Sequence, residues 1–131
     1  VSATGIKNTI QKLSEKDPRN TLLQTLCKDN IDGFLLDKSY DQGNETAIKI
    51  YHFTGEKLGQ GLALVANLFS PEAFIFYGGF SNAGERIFAS ARKSMKHNLI
   101  NSSGKDIKLI QSGLAKGQAG ILGAASLIWT K

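Results

Sequence analysis

The residues with the most chemical character run Phe74-Ile75-Phe76-Tyr77-Gly78-Gly79-Phe80-Ser81-Asn82-Ala83-Gly84-Glu85. They read as strand, tight glycine turn and helix start. At the carboxyl end of a parallel strand, two adjacent glycines let backbone approach a ligand where a Cβ would collide. The helix that follows presents unpaired N–H groups and a partial positive charge to an anion. Gly78 and Gly79 are therefore candidates to receive the ribose or α-phosphate of a nucleotide. A plain strand-to-helix turn uses the same residues.

Other chemistries fit less well. Gly79-Phe80-Ser81-Asn82-Ala83 approximates the G-x-S-x-G elbow of hydrolases, but the only histidine downstream is His97, inside the next expected helix. Gly59-Gln60-Gly61 lacks the third glycine and the preceding strand of a dinucleotide fingerprint. Asn44-Glu45-Thr46 and Asn101-Ser102-Ser103 match glycosylation acceptors, with nothing else to suggest secretion. His52 and His97 stand far apart without recognisable ligands around either, so no metal is expected here. Arg86, Arg92, Lys93, Lys96, Lys105 and Lys108 make one region basic; without interleaved aromatics it reads as a solvated helix face rather than a nucleic-acid surface.

The elements that would position the glycine turn follow from periodicity. Ile6, Ile10 and Leu13 predict a first helix, which Asp17-Pro18 ends. Leu22, Leu23 and Leu26 predict a second. A third is expected from near Asp32 to just before Gly43. Ala47, Tyr51, Thr54, Leu58, Leu62, Val65 and Phe69 trace one stripe on a long helix, capped by Asn44 and stopped at Ser70-Pro71. Gly59 and Gly61 lie inside it, each costing up to about 1 kcal/mol against alanine, which predicts close approach of another backbone. Ala73–Tyr77 reads as a central strand buried on both faces. A helix should begin near Asn82, with Glu85 completing an approximate capping box, and bury Ile87, Phe88, Ala91 and Met95. A second parallel strand is expected at Ile107–Gln111, then a last helix through Ala119, Leu122, Ala125, Ile128 and Trp129.

Composition bounds the class. The chain has 131 residues, 41% hydrophobic and 21% charged, with two prolines and a formal charge of +5. That suits one folded α/β domain and argues against disorder. No apolar run is long enough for a membrane-spanning helix. The single cysteine, Cys27, excludes an internal disulfide and suits a reducing, cytoplasmic setting. Two strands cannot make a stable sheet, and the chain opens on Val1 within an apparent helix. A piece of a longer polypeptide is the expectation.

The block from Gly59 to Gly79 resembles the ROK family (repressors, open reading frames, sugar kinases). There a long helix of roughly G-x-x-L-A-N-L-x-x-x-x-x-P-E leads into a strand and Gly-Gly. Gly120-Ile121-Leu122-Gly123-Ala124-Ala125 resembles the family's terminal G-A-A helix, and Val1–Ile6 the helix after its cysteine-rich zinc motif. The resemblance implies an α/β fold, the C-terminal portion of an actin-like, ribonuclease H-like lobe with an N-terminal helical insertion. Residues 1–43 would be the insertion and 44–131 the latter part of the lobe. Gly78 and Gly79 would match the family's adenosine motif, with Phe80, Ser81 and Asn82 beside them in that pocket. ATP with magnesium would be the cofactor of the parent protein, structural zinc would sit upstream, and a homodimer would be the assembly.

Equally informative are the motifs that the resemblance calls for and these residues lack. The phosphate loop, the catalytic aspartate after an asparagine, the sugar-binding E-x-G-H and the zinc cysteines do not occur. Phosphoryl transfer needs a positioned base and charge stabilisation, so turnover by these 131 residues alone is not expected. The implied role is the adenosine wall and scaffold of an ATP-dependent hexose kinase. A sugar-responsive repressor of the same family, with a DNA-binding domain upstream, shares every motif present. A standalone α/β interaction domain is the reading from a different class.

Overall fold

A computed structural model describes residues 3–28, 33–78, 83–100, 106–115 and 117–129. In chain order they form α1 (Ala3–Lys16), α2 (Thr21–Lys28), α3 (Gly33–Asp41), α4 (Glu45–Phe69), β1 (Ala73–Phe76), α5 (Glu85–Asn98), β2 (Lys108–Gln111) and α6 (Gln118–Trp129). This is the order that the periodicity predicts.

Local chemistry sets the ends of α4. The Asn44 side chain accepts hydrogen bonds from the N–H groups of Thr46 at 3.0 Å and Ala47 at 3.2 Å, satisfying donors that a helix start leaves open. At the far end Ser70 takes a left-handed conformation (φ 47°), and its N–H donates to the Ala66 carbonyl. Pro71 prevents the helix from continuing. Asn20 joins this scaffold: its carbonyl oxygen accepts from Leu23 N–H, and its amide donates to Thr46 Oγ1 at 2.9 Å.

The long helix α4 is the spine. Its first half shares a core with Ile6 and Ile10 of α1, Leu23 and Leu26 of α2, Leu36 of α3 and Ile87 and Phe88 of α5. Its second half meets Met95 and Ile107 through Leu62, Ala63 and Ala66. The expected stripe holds to Leu62 and then drifts, since Val65 and Phe69 are exposed. Small residues mark the buried face instead, because α5 lies too close for large ones. A methyl on Gly55 would stand 2.6 Å from the Ile87 carbonyl oxygen and 2.7 Å from Ser90 Cβ. One on Gly59 would strike the Ala91 carbonyl oxygen and lie 2.7 Å from Ser94 Cβ. Close approach at Gly59 is thus as expected. Gly61 faces open space with no atom within 4 Å, so that expectation fails there.

The two strands pair in parallel across α5, with Phe74 opposite Leu109 and Phe76 opposite Gln111. Phe74, Phe76 and Leu109 pack on the helices. Ile75, 72% exposed, and Ile110 face outward. The expectation of a strand buried on both faces is therefore corrected: among the described residues only one layer of helices covers this sheet. Ile121, Leu122, Leu127 and Ile128 of α6 are exposed as well.

Candidate functional site

The carboxyl ends of β1 and β2 and the first turns of α5 and α6 come together at one edge of the fold. This is where open α/β sheets bind ligands. Ser112 N–H donates to the Phe76 carbonyl at 2.8 Å, which carries the ladder one residue past β2. Tyr77 then ties this end together. Its hydroxyl accepts from Gly117 N–H at 2.7 Å and donates to the Ala115 carbonyl at 3.1 Å. Ala115 and Gln118 close the turn before α6 reciprocally, backbone to side chain and backbone to backbone.

Gly78 follows with φ +109°, a region that L side chains rarely enter, and no atom of the described residues lies within 4 Å of where its Cβ would be. The glycine is demanded by conformation and faces open space beside the strand end. Just ahead of α5, Gly84 also has positive φ (+52°), and its carbonyl accepts from Ile87 and Phe88 N–H. The expected capping box is corrected here. Helix α5 begins at Glu85 behind Gly84, with no side-chain cap, and Glu85 pairs with Arg92 instead of folding back. Gly79, Phe80, Ser81 and Asn82 lie outside the described residues.

Some predicted features sit elsewhere. His97 is twelve residues into α5 from Glu85, about 18 Å along the axis, which removes it from any partnership with the turn. It borders a polar groove of about 470 Å³ between α4 and α5, with His52, Glu56, Ser90 and Lys93. His52 does have a neighbouring carboxylate after all: its Nδ1 lies 3.3 Å from Glu56 Oε1, one helical turn on. Among the described residues no three His, Cys, Asp or Glu side chains gather as metal ligands. The basic region is partly neutralised, since Arg86 pairs with Asp41, Arg92 with Glu85 and Lys96 with Asp106. Lys105 lies outside the described residues.

Sequence reasoning missed the Tyr77 bridge and the Arg86–Asp41 pair. One signal was available for the second: a cation in the first turn of a helix opposes the macrodipole and needs a carboxylate nearby. Nothing local marks the first, because its partners are 38 and 40 residues away.

With this geometry in place, likeness to known proteins becomes informative. The ROK family pattern matches residues 1–131. Over 99 residues the chain is 33% identical to the glucokinases of Streptomyces coelicolor and Streptomyces lividans, covering 76% of this chain and 31% of theirs. The Thermotoga maritima glucokinase is 34% identical over 87 residues, covering 66% of this chain and 27% of that protein. The chain thus spans less than a third of the length of these relatives. Among solved structures, a ROK family glucokinase from Streptomyces griseus, in complex with glucose and AMPPNP, aligns with a TM-score of 0.78 at 30% identity. The alignment covers 97% of this chain and 42% of that one. The fold is accordingly that of part of an actin-like ATPase lobe. The family pattern runs the length of the chain, the sequence and structural likenesses agree with it, and the chain belongs to the ROK family.

Proposed function

We propose that this chain forms the adenosine-binding wall of an ATP-dependent sugar kinase that acts on a glucose-like hexose. The observation that carries the reading is Gly78: a residue of positive φ facing open space just past the carboxyl end of a parallel strand, ahead of the start of α5 at Glu85. That space suits a group that must meet backbone closely, such as a ribose or inner phosphate. ATP would supply the γ-phosphoryl group that passes to the sugar. Gly78 and Gly79 would admit the adenosine, Phe80, Ser81 and Asn82 would border it, and the start of α5 would favour the negative charge beside it. Tyr77 keeps the strand end and the α6 turn together, so the wall is formed before the ligand arrives.

The supporting likeness is to glucokinases, one of them solved with glucose and AMPPNP. Within this reading residues 1–43 are a helical insertion and 44–131 belong to the lobe proper. Magnesium, a structural zinc, the sugar site and the catalytic base belong to the rest of the polypeptide. The uncovered face of β1 and β2 and the exposed apolar side chains of α6 support a larger lobe of this kind. A cytoplasmic homodimer completes the proposal; no helix among the described residues is long and apolar enough to cross a membrane.

The test is Gly78→Val in the full-length protein. A branched side chain at φ +109° is strained and occupies the open space beside the strand end, with a left-handed cost of about 1–2 kcal/mol. The expected result is AMPPNP affinity reduced tenfold or more, by about 1.4 kcal/mol, with glucose affinity unchanged. Unchanged nucleotide affinity in a folded variant contradicts the reading.

A further inference from the structure

Between α1 and α4 lies a groove of about 550 Å³ that the nucleotide reading does not use. That is the size of an ordinary small-molecule cleft. Both of its walls are anchored from behind. Ile6 and Ile10 hold α1 in the core, and Ala47 and Ile50 hold α4. The α1 wall carries Thr9, Lys12, Leu13 and Lys16 at helical spacing, and the α4 wall carries Lys49 and Phe53 one turn apart. Leu13 packs half-buried against the core, and Phe53 keeps 44% of its surface in solvent, so apolar surface stays open between the walls. The Thr9 hydroxyl already donates to the Gly5 carbonyl at 3.0 Å. Cationic side chains therefore dominate the polar character of the site.

Charge decides what fits. Three lysines and no carboxylate line the groove, and a fourth cation, Lys57, stands 5.6 Å from the centre of the Phe53 ring. Among the described residues the one carboxylate within ion-pair distance of the three is Glu45, 3.8 Å from Lys49. Both partners of that pair are mostly in solvent, which makes it weak. Lys12 and Lys16 stand four residues apart on one helix face, a like-charge arrangement that opposes the helix. A bound anion relieves that repulsion, and an apolar body removes Leu13 and Phe53 from water.

We propose that the α1–α4 groove is a binding site for an organic anion with an apolar body. A chain or ring lies on Leu13 and Phe53, and its carboxylate or phosphate sits among Lys12, Lys16 and Lys49. The site is separate from the adenosine wall and does not depend on it.

The experiment titrates the full-length protein calorimetrically with octanoate and with octyl phosphate. Acetate, inorganic phosphate and octanol serve as probes that each carry one half of the ligand. The better of the two amphipathic anions should bind with a Kd of about 1 mM or tighter, and its headgroup identifies the natural one. The half-ligands should bind about tenfold more weakly or not at all. The variant Lys12→Gln/Lys16→Gln should weaken the better anion about fivefold, and Phe53→Ser about threefold. Lys7→Gln, on α1 but outside the groove, should leave the affinity unchanged. Unaltered AMPPNP and glucose affinities show that each variant is folded. Absence of binding overturns the proposal, and so does binding that survives both groove variants, which places the anion elsewhere. Octanol binding as tightly as octanoate reduces the site to a bare apolar patch, and an equal loss in Lys7→Gln reduces it to net charge; either result overturns the proposal.

Discussion

Tyr51 and Asp41 belong to one network but respond to opposite ends of the pH scale. Burial pushes the Tyr51 hydroxyl above its ordinary value of 10.0, and its bond to Asp37 adds to the shift, offset in part by Arg86. The protonated phenol is the form that the fold favours. Its contribution is complete below about pH 10 and is lost as pH rises beyond that. The hydrogen bond from Arg86 holds the Asp41 carboxyl below its ordinary 3.8, opposed by desolvation and helped by the charge of Arg86. That contribution is present above pH 3.8 and is lost as pH falls below it. In thermal unfolding of the full-length protein, Tyr51→Phe should flatten the alkaline fall in Tm and leave the acid limb alone. Asp41→Asn should do the reverse. An alkaline limb unaffected by Tyr51→Phe would show that the phenol is not held as described.

Two glycines let α4 pack closely on α5 beside the large side chains that the two helices bury together. Gly55 and Gly59 let the backbones meet, and Gly61, two residues on, faces outward. Gly59→Ala should therefore destabilise by about 1–3 kcal/mol through overpacking. Gly61→Ala should stabilise by up to about 1 kcal/mol through helix propensity. Urea unfolding of the full-length protein measures both; equal effects at the two positions would contradict this packing. The contrast also shows what a sequence displays. Ile87, Phe88, Ala91 and Met95 were legible because apolar residues at helical spacing declare a buried face. Asn44 was legible because capping is local. The continuation of the α4 face through Ala63 and Ala66 was not, since small residues carry little apolar signal. Nor was the Asp41–Arg86 pair, whose partners are 45 residues apart and meet only once α3 and α5 have docked.

At the scale of the whole molecule, the described residues form one layer of helices on a two-stranded parallel sheet. Helices cover one face of the parallel pair, while Ile75 and Ile110 and the apolar residues of α6 remain uncovered. The strand pattern predicts burial on both faces, and Ile75, exposed to solvent, does not follow it. The positive φ of Gly78 was legible, because a glycine directly after an apolar strand run signals a turn that side chains would strain. The bridge at Tyr77 became visible only with the fold, since it joins segments that sequence keeps apart. The decisive measurement is photolabelling of the full-length protein with 8-azido-ATP, with and without excess AMPPNP, followed by tryptic mapping. AMPPNP-protected label should fall on the peptide of residues 58–86, which carries the turn. Protected label found only outside residues 1–131 would contradict the adenosine wall.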